Sequence, residues 1–450
     1  MSDSSLDTTR FFSTLTPILS PAFISADDAA VYAHDLISAR REEEYGGFVL
    51  SKDNHYFVTI PQSSAGTFFR PSDVLSTGEN GDILPPQGYA IEGIYHSHTV
   101  FPRTASLSED ENDLLDNFFS MMDLRTAVFF RHNYPRFYLS NPDGSLLRYI
   151  STDSEWERAL IPLFRVIHPG PVGHLAQPAP DNSLLPSDLL AMIHLAGDLR
   201  VICPGVFWRR RSSIGADWRT RQAIDTEVES QAPLCGPILM TANAAAKWAQ
   251  VQIRKKGLVQ QVGFILKHAQ KSEFVCTRPK VAVFEYIDRA SAYARSPSGA
   301  ALLPADYHVF AAYHSVDNVQ VPVAASQRLL MSNCFTPDNL RMGFWLIQNG
   351  IAGSVFFSAP EGALLHYRWG EQGSDRELVA SVTRRNGQVS DFEHLLSVGI
   401  LSALDYVRHV AQACVLEVLE VDPVWTRKGR VTESWQPFAV LPDEPASPSA

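Results

Sequence analysis

An internal repeat constrains the fold of this chain more than any other feature of its 450 residues. Five blocks recur in the same order, namely 16–19 as 236–239, 29–34 as 245–250, 44–50 as 260–266, 95–98 as 313–316, and 140–149 as 358–367. The last two pairs are both 218 positions apart. Such ordered self-similarity predicts a duplicated domain. We expect copies at residues 12–152 and 231–372, a proline-rich and helical connector at 153–230, and a C-terminal helix with a disordered tail at 373–450.

The residue pattern within a copy is typical of a mixed α/β domain. In the first copy we expect strands near 47–60, 89–98, 126–131 and 136–140, alternating with helices. One helix is expected to begin at Ser106 or Ser108 and to carry its apolar residues through Met122. In the connector, Ser187 is expected to cap a helix. Residues 391–421 are expected to form one long amphipathic helix, and 443–450 to be disordered.

Two histidines stand two positions apart at the end of an apolar run, in Gly93-Ile-Tyr-His-Ser-His98. Side chains on a β-strand repeat every second residue, so the imidazoles of His96 and His98 point to the same face. Such a pair is half of a tetrahedral zinc site, although His-x-His alone also occurs in ordinary surface strands. The pair predicts a metal site if further ligands lie nearby.

Acidic residues that could complete such a site occur downstream and upstream. Ser106 to Asp113 has the composition of a helix start, and its acids Asp110, Glu111 and Glu109 are alternative third ligands, with Glu92 the next candidate. Carboxylates are also favoured at helix starts for electrostatic reasons alone. Upstream, Glu44 precedes a strand that begins with two glycines, and a free glutamate beside a zinc ion with an open position would be the general base.

Three motifs resemble a known family. Glu44-Tyr-Gly-Gly-Phe-Val-Leu50, the His-x-His segment and Leu107-Ser-Glu-Asp-Glu111 are similar to the glutamate, His-x-His and Ser-x-x-Asp elements of the JAMM (JAB/MPN+) zinc metalloproteases. Residues 137–149 resemble the close of a bacterial JAB-like family often attached to polymorphic (RHS-type) toxins. The resemblance covers about residues 15–150. It implies the JAMM fold, related to that of cytidine deaminases, with His96 and His98 as zinc ligands, Glu44 as the base and Ser108 steadying the oxyanion.

The match departs from the family at the acidic ligand. The usual form has seven residues between the second histidine and the serine, whereas Ser106 leaves seven and Ser108 leaves nine. Neither serine is followed by aspartate at the third position. We favour Ser108 because a hydrophobic residue precedes it as in the family, and we keep Asp110, Glu111 and Glu109 open as the acid. Thr99 also stands where the family usually has proline.

The second copy lacks most of the presumed site. Glu44 corresponds to Gln260, His98 to Val316 and Glu111 to Leu329, while His314 and Ser326 are kept. An amide cannot act as a base and valine cannot bind metal, so we expect a pseudoenzyme domain in which His314 is an ordinary core histidine.

Composition limits the partners. A net charge of −11 and a pI near 5.7 argue against general binding to nucleic acid or anionic membranes. A basic segment at 208–211, with Arg200, Arg219 and Arg221 nearby, could dock an acidic partner, but we favour a solvated linker face as its explanation. The five cysteines form no C-x-x-C pair, and no signal peptide or long apolar span is present, so free thiols and a cytoplasmic location are expected.

These observations favour a zinc-dependent hydrolase of peptide or isopeptide bonds in a protein substrate, such as a ubiquitin-like conjugate or a toxin polypeptide. The first copy would be catalytic and the second would dock or scaffold. The alternative is a non-catalytic JAMM-like interaction scaffold. A nucleobase deaminase is disfavoured because the chain lacks H-x-E with P-C-x-x-C. The substrate and the oligomeric state stay open.

Overall fold

The computed structural model describes residues 16–63, 69–166, 185–215, 231–255, 257, 259–282, 296, 298, 300–316, 323, 325–370, 375–383 and 389–437. The proline-rich segment 169–180, Arg219, Arg221, the N-terminal residues 1–15 and the tail 443–450 lie outside the described residues. The chain divides into two compact units, Met1–Glu229 and Ser230–Ala450.

The first unit contains five described helices and nine strands. The helices are α1 (Ala26–Ile37), α2 (Glu109–Asp116), α3 (Met121–Phe129), α4 (Glu155–Val166) and α5 (Pro186–Ala196). The strands are β1 (Tyr45–Lys52), β2 (His55–Val58), β3 (Gln62–Ser63), β4 (Ser76–Thr77), β5 (Ile83–Leu84), β6 (Ala90–Ser97), β7 (Phe137–Ser140), β8 (Leu146–Ile150) and β9 (Asp198–Cys203). A short 3₁₀ helix spans Pro71–Asp73.

The main sheet of this unit is mixed, in the order β2-β1-β6-β7-β8-β9, with β3 also paired to β1. Strand β6 is antiparallel to β1 and parallel to β7, which follows it after α2 and α3. The carboxyl ends of β6 and β7 therefore meet the beginning of β1 at one edge of the sheet. The residues just before β1 therefore lie close to the residues just after β6.

Burial explains why these segments form these elements. Ser25 caps α1 by accepting a hydrogen bond from the Asp28 backbone at 3.1 Å, and the alanine-rich face of the helix is buried against the sheet. The residues of β1 from Gly46 to Leu50 are all buried, as expected for a central strand covered on both faces. Helices α2, α3 and α5 contribute to the apolar core together with the strands.

Three expectations for the helices and strands of the first unit are wrong. The helix expected to run through Met122 ends at Asp116, and a separate helix begins after Ser120. Most of 126–131, expected to be a strand, lies in α3, because Leu124, Ala127 and Val128 bury one helical face. The cap of α5 is Leu185 with Pro186 in the first turn, rather than Ser187. Both α5 and β9 lie in the segment expected to be a connector, and β9 pairs with β8 in the sheet.

The second unit is built from six described helices and eight strands. The helices are α6 (Ala242–Lys255), α7 (Ala325–Ser332), α8 (Pro337–Gln348), α9 (Asp375–Val382), α10 (Asp391–Ser397) and α11 (Ala403–Ala413). The strands are β10 (Gln261–His268), β11 (Phe274–Cys276), β12 (Lys280–Val281), β13 (Tyr307–Ser315), β14 (Ser354–Ser358), β15 (Leu364–Arg368), β16 (Val415–Glu420) and β17 (Gly429–Arg430). Its sheet has the order β11-β10-β13-β14-β15-β16-β17, with β13 parallel to β14.

Corresponding side chains make the same hydrogen bonds in the two units. The Tyr95 hydroxyl donates to the Thr59 carbonyl at 2.6 Å, and Tyr313 donates to Thr277 at 2.5 Å. In each unit a buried tryptophan also donates from its indole N–H to the backbone carbonyl of an asparagine just after a helix. Trp208 donates to Asn117 at 2.6 Å, and Trp425 donates to Asn333 at 2.7 Å. Strand order and these contacts agree in both units.

The C-terminal region differs from the expected single helix. Residues 391–421 form α10, a turn at Gly399 with φ of 75°, then α11 and the strand β16. Glycine tolerates this left-handed conformation, and Ser402 caps the new helix by accepting from Asp405 N at 3.1 Å. The single-helix expectation is therefore wrong.

The coarse expectation of a mixed α/β fold, with mixed sheets flanked by helices, is confirmed. No disulfide joins any of the five cysteines, all of which lie in described segments. None of the described helices is both long and apolar enough to cross a lipid bilayer.

Candidate metal centre

Two buried imidazoles lie at the carboxyl end of β6. His96 lies opposite Gly46 of β1 in the strand register, and His98 follows the last residue of the strand. The two rings lie on the same face, as the period-two pattern predicts, with centroids 5.2 Å apart. Their exposed fractions are 9% and 4%. Neutral imidazoles held this way on a strand are suitable metal ligands.

Asp123, in the first turn of α3, supplies a carboxylate to both rings. Its Oδ1 lies 3.1 Å from His96 Nε2 and its Oδ2 lies 3.2 Å from His98 Nε2. Burial alone would raise the pKa of Asp123, but the attraction and hydrogen bonding of the two imidazoles outweigh burial and hold the pKa well below its usual range. Asp123 is therefore ionised at neutral pH.

A reciprocal capping box orients this carboxylate. The Ser120 backbone N–H donates to Asp123 Oδ2 at 2.7 Å, while Ser120 Oγ accepts from the Asp123 backbone N–H at 3.2 Å. Because the helix start holds the side chain, Asp123 does not have to be ordered by the metal ion itself.

The donor atoms fit a tetrahedral metal ion. Two ligands about 2.0 to 2.1 Å from a tetrahedral zinc ion are about 3.3 Å apart, close to the nitrogen–oxygen distances of 3.1 and 3.2 Å. His96 Nε2 is buried without a hydrogen bond of good geometry although it faces Asp123. A buried ring nitrogen that faces a carboxylate in this way is placed as a metal ligand would be. The described residues contain no other comparable group of three, and no fourth protein ligand joins this one.

Glu44 is buried beside the cluster, directly before β1. Its neighbour Tyr45 is held by a hydrogen bond from its backbone N–H to Ser97 Oγ at 2.9 Å. Burial raises the pKa of Glu44 from 4.5 to about 8, while His96 lowers the pKa and Asp123 raises it. A carboxyl group with a pKa near neutrality can accept and return a proton.

The acids expected as third ligands lie elsewhere. Asp110 and Glu111 are in the first turn of α2, where Glu111 accepts a hydrogen bond from the Ser187 backbone at 3.1 Å, and neither belongs to the cluster. Glu109 is exposed in the same turn. The acid that lies with the two imidazoles is Asp123, because α3 rather than α2 begins beside them.

Two further expected positions have structural roles. Ser108 is the N-cap of α2 and accepts from the Glu111 backbone at 3.2 Å. Glu92 pairs with Arg136 at 2.5 Å and accepts from Ser51 at 2.9 Å, near the opposite end of β6. The sequence does carry a signal for Asp123, because Ser120-Met-Met-Asp123 has the spacing of a capping box. The expectation of a single helix through Met122 left no helix start at Ser120, so this signal was missed.

The second unit has the same positions with different side chains. His314 lies opposite Val262 in register, as His96 lies opposite Gly46. Val316 follows β13 directly, and Gln260 directly precedes β10.

At the start of α8, Thr336 and Asn339 form the capping box that Ser120 and Asp123 form in α3. The His314 ring is fully buried with both nitrogens lacking hydrogen bonds, and burial lowers its pKa to about 4. It is a core histidine as expected, but neither ring nitrogen has a hydrogen-bond partner among the described residues.

No protein-family model matches the chain, and no curated protein or solved structure matches it either. The chemistry of the site follows from its own side chains. Two imidazoles and one carboxylate can hold a divalent metal ion with a position left open, and Glu44 can exchange a proton next to that position.

Proposed function

We propose that this chain is a zinc-dependent hydrolase of peptide or isopeptide bonds in a protein substrate, with the site in the first unit. The observation that carries the proposal is the buried group of His96, His98 and Asp123 with Glu44 beside it. Three protein ligands with an open position are typical of catalytic rather than structural zinc sites. Imidazole and carboxylate ligands also suit zinc among the available divalent metals.

Each side chain has a defined role in this proposal. His96, His98 and Asp123 would hold the ion, which when bound supplies a Lewis acid that polarises a carbonyl and makes water a competent nucleophile near neutral pH. Glu44 takes a proton from the attacking water and later passes it to the leaving amine. Ser120, whose hydroxyl lies at the start of α3 beside Asp123, replaces Ser108 as the donor to the oxyanion.

The resemblance to the JAMM metalloproteases supports the same reaction. Its Ser-x-x-Asp element is matched by Ser120 and Asp123, so the irregular acid near Ser108 needs no special explanation. The separation between His98 and Ser120 is 21 residues, much longer than the usual seven, and the intervening chain includes α2. We propose that α2 and its flanking loop are an insertion relative to the family pattern.

The contrast between the units supports a cation in the first one. We propose that the units are tandem copies of one JAMM-like domain. In the second copy Val316 stands for His98 and Gln260 for Glu44. Asn339 stands for Asp123, because the two occupy the same place in matching capping boxes.

The replacements of Glu44 and Asp123 keep the shape of the side chain and remove its charge. Without a divalent ion, two buried carboxylates would repel each other uncompensated, so their neutralisation is expected once metal binding is lost. The second copy would then dock the substrate, whose identity as a ubiquitin-like conjugate or a toxin polypeptide is part of the proposal.

Elemental analysis tests the proposal. The purified chain, incubated with zinc and desalted, should retain about one zinc ion per chain. Asp123→Asn should lose it, whereas Glu111→Gln should keep it as a matched acid-to-amide control. Absence of zinc from the parent protein would reject the hydrolase and favour the non-catalytic scaffold.

A further inference from the structure

A half-buried arginine lies at the edge of the metal centre without taking part in it. Arg41 precedes Glu44 in the loop between α1 and β1, and its guanidinium donates to the Ser140 carbonyl and hydroxyl, both at 3.1 Å. The backbone N–H of the ligand His98 donates to the same carbonyl oxygen at 3.2 Å. Two donors bonded to one oxygen are at most about 6 Å apart. The cation is therefore held beside the backbone of a metal ligand.

A hydrogen-bonded chain fixes the guanidinium in this position. His34 Nε2 faces the Gly144 carbonyl at 3.0 Å, so in the neutral ring this nitrogen carries the proton. His34 Nδ1 then accepts from the Ser140 hydroxyl at 2.7 Å, and the oxygen of that hydroxyl is left to accept from Arg41. Arg41 is preorganised by this chain rather than free to rotate.

The charge of Arg41 has no carboxylate partner in the part of the chain that the structure describes. Burial lowers its pKa to about 10, which leaves it charged at neutral pH, and the attraction of Asp143 opposes this shift. Asp143 attracts the guanidinium, but among the described residues the two form no ion pair, and the oxygens of Asp143 accept hydrogen bonds from Ser145, Phe207 and Trp208. The Nε–H of Arg41 is buried without an acceptor. A buried cation with an unused donor is costly unless an anion completes it.

The second unit keeps the surroundings of this arginine but not the arginine itself. Gly257 stands at the position of Arg41. Gln250 replaces His34 and donates to the carbonyls of Gly362 and Ala363 at 2.9 and 3.0 Å, as His34 does to Gly144. Thus an arginine stands at this position in the unit that has both histidines, and a glycine stands there in the unit that has one.

We propose that Arg41 binds a carboxylate of the substrate next to the bond that is cut, an inference that rests on the proposed hydrolase function. The spare N–H groups of a guanidinium match the two oxygens of a carboxylate. The carboxylate would be either the free C-terminus of the substrate chain or an acidic side chain beside the scissile bond. Arg41 is therefore a specificity residue for an acidic substrate segment.

Paired hydroxamates test this inference on the zinc-loaded protein. Succinic and glutaric monohydroxamates carry a metal-binding group and a carboxylate, and the alkyl hydroxamates of matched length lack the carboxylate. At least one charged member should bind the parent protein about tenfold to a hundredfold more tightly than its neutral partner. In Arg41→Gln this preference should disappear while the affinity for the neutral partner is unchanged. Arg41→Lys should keep part of it.

Arg40→Gln is the matched control, since Arg40 lies in the same loop and its guanidinium binds the Leu36 and Ile37 carbonyls. This variant should keep the preference. An equal preference in Arg41→Gln, or an equal loss in Arg40→Gln, would overturn the assignment.

A metal-free measurement separates this inference from the hydrolase proposal. Acetylalanine, which has a free C-terminal carboxylate, and acetylglutamate α-amide, which has only a side-chain carboxylate, are titrated against arginine-labelled protein. The Nε–H resonance of Arg41, assigned with Arg41→Lys, should shift with one of them and thereby identify the source of the carboxylate. Shift with neither rejects carboxylate binding, whether or not the protein takes up zinc.

Discussion

Ser120 and Asp123 hold each other at the start of α3, each side chain bonded to the backbone N–H of the other at 3.2 and 2.7 Å. The oxygen of Asp123 that accepts from Ser120 also lies 3.2 Å from His98 Nε2. A local helix-capping motif thereby positions the carboxylate that faces His98, a residue 25 positions earlier in the chain. We therefore expect metal affinity and helix capping to depend on the same carboxylate.

Ser120→Ala should therefore weaken zinc binding in addition to destabilising the protein. Loss of an N-cap costs about 0.5 to 2 kcal/mol of unfolding free energy. Loss of a group that orients a ligand typically costs about tenfold to a hundredfold in metal affinity. Ser108→Ala removes the cap of α2 in the same way and is the control, since it should lower stability without changing the zinc Kd. Equal zinc affinity in the two variants, measured by competition with a chelator, would show that the capping box does not position Asp123.

His98→Val should abolish metal binding and leave the fold intact. The second unit has Val316 at the corresponding place after its strand and still forms the same sheet order. Far-UV circular dichroism should be unchanged while zinc content falls to background. Loss of the circular dichroism signal would instead show that the imidazole is needed for folding.

Glu44→Gln should retain zinc and lose hydrolysis. The amide keeps the shape of the side chain but can neither take a proton from water nor return one to the leaving amine, and general acid–base steps are worth about a hundredfold to ten-thousandfold. Glu43→Gln is the adjacent control, because the Glu43 carboxylate is exposed and accepts from Ser63. Turnover that survives in Glu44→Gln but not in His96→Ala would assign the base to another residue.

The stability of the metal-free protein should fall as pH rises through the range set by Glu44. Its pKa is 4.5 ordinarily and about 8 in the folded protein, so between these values the folded state binds a proton that the unfolded state has lost. The contribution of Glu44 to the free energy of unfolding is therefore largest at low pH, and at most about 5 kcal/mol of it is lost by pH 8.

His96, whose pKa the carboxylates of Asp123 and Glu44 raise against the lowering effect of burial, changes stability in the same direction. Comparison of the parent with Glu44→Gln isolates the contribution of the glutamate. Urea unfolding at pH 5.5 and 8.5 should show a smaller decrease in the variant. An identical decrease in both proteins would place the titration elsewhere.

The sequence alone was sufficient for the parts of the site that depend on local geometry. His96 and His98 share a face because side chains on a strand alternate. The resemblance to the JAMM metalloproteases pointed to Glu44, and the antiparallel pairing of its strand with that of His96 explains why the two lie close together. The repeat likewise predicted that the second copy has an amide, Gln260, in place of the base and Val316 in place of the ligand His98. The shared face of the histidines needs only the period of a strand, and the comparison of the copies needs only the order of segments.

Only the tertiary structure decided which acid completes the cluster. Asp110, Glu111 and Asp123 all lie in first turns of helices, and a helix start favours a carboxylate whether or not a metal is near. What distinguishes Asp123 is that α3, rather than α2, begins against the end of β6, which depends on how both helices pack on the core. The position of Arg41 was hidden for the same reason, because its partner Ser140 is 99 residues away and becomes its neighbour only when β7 pairs with β6.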